Sequence, residues 1–192
     1  THASAVGPAV DRAFQMARSE PEGPVYLAFP REVLMEEVPD QLVLGPGRAK
    51  PAMLQGLDED TAEDLTRRLV AAKAPLLVTG YGGRTAEHRH AIVELAETLQ
   101  IPITEYRGRF SAPLEHELHL GFNPERWVGD ADLILVVDHD VPFVPADRPL
   151  RDDVQLIHLG ADPIQEDLLV WGFPADEVIK CNVLSALRAL GR

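Results

Sequence analysis

The chain has 192 residues and a net charge of −13, with 45% hydrophobic and 26% charged residues. That balance supports a sizeable core and excludes wholesale disorder, while the negative charge repels nucleic acid and anionic membrane surfaces. With the single cysteine Cys181 there is no disulfide framework and no cysteine-based metal site.

The sequence opens THASAVGPAV, with no initiator Met and already in helical register. Val6, Val10, Phe14 and Ala17 recur at three-to-four spacing, the face of an amphipathic helix. So abrupt a start is expected of a piece of a longer protein. Pro21-Glu22-Gly23-Pro24 predicts a turn, and residues 25–29 a compact strand closed by Pro30. One helix and one strand cannot bury each other adequately, so both are expected to pack on a domain outside this chain. Across 35–56, Pro39, Gly45, Pro46, Gly47, Pro51 and Gly56 predict an extended linker.

From Leu57 the pattern becomes regular. Asp58 or Asp60 caps a helix whose apolar face is Ala62, Leu65, Leu69 and Ala72. Residues 76–79 predict a buried strand. Residues 85–99 predict a helix with Ile92, Leu95, Ala96 and Leu99 inward. Strands follow at 101–105, 118–121, 132–137, 154–159 and 177–180, and the 132–137 run is apolar enough to be buried on both faces. Asn182 caps a closing helix that packs through Val183, Leu184, Leu187 and Leu190. Alternating strands and helices predict an α/β fold with a parallel sheet and right-handed crossovers. Cys181, in the run VIKCNVL, reads as an inert core thiol. No signal peptide or long apolar span is visible, and a cytoplasmic protein is expected.

Gly80, Gly82 and Gly83 stand between the first strand and its helix. A dinucleotide fingerprint needs three glycines: one for the turn, one for the approach of pyrophosphate, one for helix–strand packing. Gly80 and Gly82 fit the first two, but Thr85 occupies the third position. Backbone N–H groups at the helix start could cradle an anion. A tight turn needing positive φ is the plainer reading, and the one preferred. Arg107 and Arg109 follow the second strand at the carboxyl edge of the sheet, where α/β domains bind ligands, and complete the candidate cofactor-binding set; solvated loop arginines are the preferred reading.

Asp138-His139-Asp140 ends the apolar strand. Read as an extended run, its two carboxylates face each other and His139 faces away. With no further ligand and the rigid apolar loop Val141-Pro142-Phe143-Val144-Pro145 next, a structural or ligand-lining loop is preferred to a metal site. His88 and His90, two apart on a helix, cannot share a face and are expected to be solvated. No metal is assigned to them, nor to the denser group Glu115, His116, Glu117 and His119, whose histidines are read as structural.

Two stretches together resemble the thiamine-diphosphate enzymes of the acetolactate synthase and benzoylformate decarboxylase group. Glu22-Gly23-Pro24-Val25-Tyr26-Leu27-Ala28-Phe29-Pro30-Arg31-Glu32-Val33-Leu34 is similar to the G-P-V-x-L-x-x-P-x-(D/E)-V pattern that closes their pyrimidine-binding domain. Residues 74–163 resemble their central domain: the strand and glycine turn, a helix ending in an L-A-E-x-L run, then Ile101-Pro102-Ile103. His116 and Leu120-Gly121, Asp130-Ala131-Asp132-Leu133-Ile134-Leu135, and Asp162-Pro163 follow in order.

The resemblance implies a tail of the pyrimidine-binding domain over 1–34, a linker over 35–56 and a central domain over 57–192. It also implies a six-stranded parallel, Rossmann-like (DHS-like) sheet with helices on both faces. The parent would decarboxylate or ligate 2-oxo acids with thiamine diphosphate and magnesium, as a homodimer or homotetramer. The G-D-G…N segment that holds magnesium and diphosphate, and the glutamate that activates thiamine, match nothing in this chain, so no catalytic residue is assigned. FAD is expected to be absent. Where flavin-containing members read G-x-R, this chain has Asp138-His139-Asp140, and where they read D-x-D-P it has Gly160-Ala161-Asp162-Pro163. An arginine suited to a diphosphate is thereby replaced by a carboxylate. A non-catalytic domain binding a nucleotide or CoA ester is the alternative. An NAD-linked dehydrogenase ranks last, lacking the third glycine and any clear catalytic pair.

Overall fold

A computed structural model describes residues 2–38, 49–106, 108–169 and 172–192. The chain divides into two compact units, Thr1–Met53 and Leu54–Arg192.

In the first unit, a 3-10 turn at Ala3–Ala5 leads into helix α1, Val6–Ala17, and a single helical turn, α2, covers Arg31–Leu34. The Ala3 N–H donates to Glu36 Oε2 at 2.8 Å, and the Ala52 N–H to Ser19 Oγ at 2.9 Å. The expected strand at 25–29 joins no ladder among the described residues, and Tyr26 is 90% exposed. Its composition suits a strand, but a strand exists only where a neighbour accepts its hydrogen bonds. Of the expected linker, residues 39–48 lie outside the described residues.

The second unit begins where Asp58 accepts from the Thr61 N–H at 2.9 Å and starts helix α3, Glu59–Ala71. Strand β1, Pro75–Thr79, is anchored at its foot by Asp132, whose carboxylate takes the N–H groups of Lys73 (2.8 Å) and Ala74 (2.9 Å). Thr85 caps helix α4, Ala86–Leu99, which ends at Gln100 in the left-handed conformation, φ 54°. Strands β2 (Ile103–Glu105), β3 (Leu133–Val137), β4 (Gln155–Gly160) and β5 (Glu177–Lys180) follow. Asn182 accepts from the Ser185 N–H at 2.9 Å and starts the closing helix α5, Val183–Leu190.

All pairings are parallel, in the order β2-β1-β3-β4-β5. Among the described residues the sheet therefore has five strands, not six. The missing strand was expected at 118–121, which runs beside β2: Ile103 N–H donates to Leu118 O at 2.8 Å and Leu120 N–H to Ile103 O at 2.7 Å. Only one regular bridge forms, Ile103 to His119, because the ladder slips at Gly121, φ 91°, whose carbonyl accepts the Glu105 N–H at 3.0 Å.

Side chains alternate across each strand and so split the core in two. Leu77, Ile103, Leu135, Val137, Ile157 and Leu159 face α3, α4 and α5, which contribute Leu65, Leu69, Ile92, Leu95, Val183 and Leu187. Cys181 is buried in this core. Leu76, Val78, Ile134, Val136 and Leu156 face the opposite way, onto Val128, Ala131 and Phe143. Helices α3, α4 and α5 all lie on the first face. The second is covered by a 3-10 turn, Pro124–Arg126, and by irregular crossovers.

Candidate functional site

The strand order reverses between β1 and β3, so the crevice beyond their carboxyl ends is the switch point where open α/β sheets bind ligands. Two loops meet there: the glycine turn after β1 and Asp138-His139-Asp140 after β3.

The glycine turn is a tight turn, but not for the reason expected from sequence. None of Gly80, Gly82 and Gly83 has positive φ; among described glycines only Gly108 and Gly121 do. They are demanded by space. A Cβ on Gly82 would stand 2.4 Å from Thr79 Oγ1, and one on Gly83 would stand 2.3 Å from the Ser111 Cα. A Cβ on Gly80 would stand 2.8 Å from the His139 ring. What approaches these glycines so closely is the protein itself. Three of the turn's N–H groups are similarly occupied: Tyr81 N–H donates to Asp138 O (2.8 Å), Gly83 N–H to Ser111 Oγ (3.3 Å), and Arg84 N–H to Tyr81 O (3.1 Å). Thr85 Oγ1 accepts the His88 N–H, in the first turn of α4, at 3.3 Å.

Asp138 departs from the extended geometry assumed for it. Its φ is 49°, so the strand alternation breaks there and its carboxylate does not face that of Asp140. Asp138 Oδ2 forms an ion pair with Arg84 of the glycine turn, and Oδ1 accepts the Ala161 N–H at 3.1 Å. That ion pair ties the β1 loop to the β3 loop across the crevice. Gly160 makes the arrangement possible, since a Cβ there would stand 3.1 Å from Asp138 Oδ1. Asp140 instead lies beside His139, with Oδ1 3.1 Å from Nδ1, and accepts the Val141 N–H at 2.9 Å. Burial would raise the Asp140 carboxyl, but the Val141 N–H and the neighbouring imidazole outweigh it and hold it below the usual carboxylate range.

His139, expected to face away, points inward and is 6% exposed. Burial lowers its pKa to about 4 against the pull of Asp140, so it is neutral at neutral pH. Arg109 stands on the exposed rim, its guanidinium 4.4 Å from the Tyr81 ring centre and its Nη2 2.7 Å from the Tyr81 hydroxyl. Gly80, Arg109 and His139 thus line one small cleft with Tyr81 and Tyr106, while Gly82 and Gly83 pack beneath it. Arg107 lies outside the described residues. From sequence, neither Tyr81 nor Tyr106 is named as a site residue, and His139 is taken only as part of a structural or ligand-lining loop. The visible signal was an aromatic inside the glycine turn and a histidine between two acids at a strand end.

The remaining histidines sort by burial. His90 is exposed as expected, but His88 is 8% exposed, because its Nδ1 lies 2.8 Å from the capping Thr85 Oγ1 and the ring folds back on the helix start. His116 Nε2 lies 3.1 Å from Glu97 Oε1. His119 is bonded at both nitrogens, accepting from the Gly121 N–H (3.1 Å) and donating to buried Glu105 Oε1 (3.2 Å). Glu105 Oε1 also accepts the Ala112 N–H at 3.1 Å, so one buried carboxylate oxygen gathers the loop after β2. No three His, Cys, Asp or Glu side chains among the described residues form a group able to hold a metal ion, and no helix there is long and apolar enough to cross a membrane.

A parallel sheet whose order reverses at a glycine turn defines a Rossmann-like α/β domain. The chain belongs to the thiamine pyrophosphate enzymes: residues 62–190 match the family model described as "Thiamine pyrophosphate enzyme, central domain". It is 30% identical to benzoylformate decarboxylase of Pseudomonas aeruginosa over 174 residues, 81% of this chain and 31% of that protein. It is 29% identical to acetolactate synthase isozyme 1 large subunit of Escherichia coli over 160 residues, 78% of this chain and 28% of that protein. The thiamine diphosphate-dependent 4-hydroxybenzoylformate decarboxylase of Rhodococcus jostii RHA1 superposes with a TM-score of 0.79 at 25% identity, over all of this chain and 37% of that one. The chain thus spans under a third of the curated relatives it matches.

Proposed function

We propose that this domain is an architectural module of a thiamine-diphosphate enzyme acting on 2-oxo acids by decarboxylation or carboligation, and that it holds no flavin dinucleotide. The Arg84–Asp138 ion pair carries this reading. It spans the switch point with a carboxylate where a diphosphate would need cations and free N–H groups. The turn's N–H groups at Tyr81, Gly83 and Arg84 are bonded internally, and Gly160 offers no acid to a ribose hydroxyl. The chain's residues do not fit thiamine diphosphate and magnesium either, since they include no G-D-G…N segment and no group of metal-ligating side chains among the described residues. Those groups belong to other domains of the parent, which we place in the cytoplasm as a homodimer or homotetramer.

The test is to purify the longer protein carrying this domain without added flavin, record its visible spectrum, and assay carbon dioxide release from 2-oxo acids with thiamine diphosphate and magnesium. Turnover without flavin absorbance is expected. Stoichiometric flavin, or no dependence on thiamine diphosphate, refutes the reading.

A further inference from the structure

Where Arg84 and Asp138 meet, the chain supplies both halves of an anion-binding contact. Arg84, from the glycine turn, forms an ion pair with Asp138 Oδ2, and the Ala161 N–H, just beyond β4, donates to Oδ1 at 3.1 Å. A guanidinium and a backbone N–H converging on the two oxygens of one carboxylate make a donor set suited to a bound anion. Here the anion is part of the chain. Asp138 presents it from a left-handed backbone, φ 49°, uncommon for a residue other than glycine. The facing position is bare: residue 160 is glycine, and a Cβ there would stand 3.1 Å from Oδ1. The contact is within reach of solvent, since the Asp138 side chain is 12% exposed and that of Arg84 29%.

We propose that Asp138 is a tethered ligand: its carboxylate fills a monoanion site formed by Arg84 and the Ala161 N–H, and so shuts the switch point to external anions. Covalent attachment gives the carboxylate an effective concentration that free anions do not match. Removing the side chain therefore uncovers the site. An external monoanion in its place leaves the local charge as it is in the wild type, so the neighbouring Asp140 opposes it no more than it opposes Asp138 itself. Formate is the fitting probe, being a carboxylate with no carbon attached. In acetate the methyl group falls where the Cβ of residue 138 was, against the main chain. The proposal deepens the architectural reading and rests on the same ion pair, but it is tested on a variant, so its failure is separate from the appearance of flavin in the longer protein.

The experiment is a titration of Asp138→Gly, in the 192-residue chain, with formate at constant ionic strength, following the Arg84 Nε–H resonance of nitrogen-15-labelled protein and the urea midpoint. Glycine suits the left-handed backbone at 138, so the variant loses the carboxylate without straining the turn. It is expected to be less stable than the wild type and to regain stability as formate saturates the site, with a roughly millimolar dissociation constant. The wild type should not respond. Asp138→Asn, whose amide still fills the space, should not respond either. Adding Arg84→Gln to Asp138→Gly should weaken formate by at least about tenfold, read from the urea midpoint. The proposal is overturned by the absence of a saturable shift at Arg84, by equal binding of formate to the wild type or to Asp138→Asn, by indifference to Arg84→Gln, or by an Asp138→Gly chain that neither folds nor recovers in formate.

Discussion

Acidification should destabilise this fold through His139 before its carboxylates respond. The unfolded chain takes up the imidazole proton near pH 6.5, whereas in the fold burial delays uptake until about 4. Between those values the unfolded state binds more protons, so stability falls as pH drops, and below about 4 this contribution is constant. At 1.36 kcal/mol per decade the whole window is worth ~3 kcal/mol. His158 acts in the same direction, because burial lowers its pKa by more than the His139 backbone and the Asp138 charge raise it. Asp132 and Asp140, held below the usual carboxylate range, lose their contribution only at lower pH. Urea unfolding curves from pH 7.5 to 4.5, compared between the wild type and His139→Phe, measure the effect. The wild type should lose about 2–3 kcal/mol more than the variant over that range. Parallel pH profiles for the two proteins would show that the imidazole titrates normally in the fold, and the burial argument would be wrong.

Two further outcomes probe the packing around the site. Gly83→Ala places a Cβ 2.3 Å from the Ser111 Cα and should cost about 1–3 kcal/mol in urea unfolding, whereas Gly23→Ala, with nothing within 4 Å, should leave stability within ~0.5 kcal/mol. Glu105→Leu leaves the Ala112 N–H and the His119 Nε2–H without their acceptor and should cost at least about 2 kcal/mol, with faster hydrogen exchange at the Ala112 amide as the local readout.

What the sequence revealed was what short-range chemistry decides. Asp58, one of the two caps expected there, and Asn182 each cap their helix, and Thr85, read as the first residue of its helix, is its cap, because a cap involves residues only three apart. The apolar runs at β1, β3 and β4 are strands because burial on both faces leaves them no other use. Residues 25–29 and 118–121 have strand-like composition, but a ladder depends on a distant neighbour that composition cannot specify. The family resemblance supplied the architecture and the central-domain assignment, and the match over residues 62–190 agrees with it.

The cleft was less legible. Arg109 was found by its place after a strand, but its hold on Tyr81 joins residues 28 apart in sequence. The inward turn of His139 follows from the left-handed backbone at Asp138, a conformation uncommon for residues other than glycine. Gly82 and Gly83 were correctly read as marking a turn, yet their cause lies in Thr79 and Ser111, which only the folded chain brings near.

The closeness of Asp138 to Gly160 also limits what these two strand ends accept. A Cβ at position 160 would stand only 3.1 Å from Asp138 Oδ1, so an acid there would crowd two like charges. Position 160 therefore stays free of acids for as long as Asp138 holds its place.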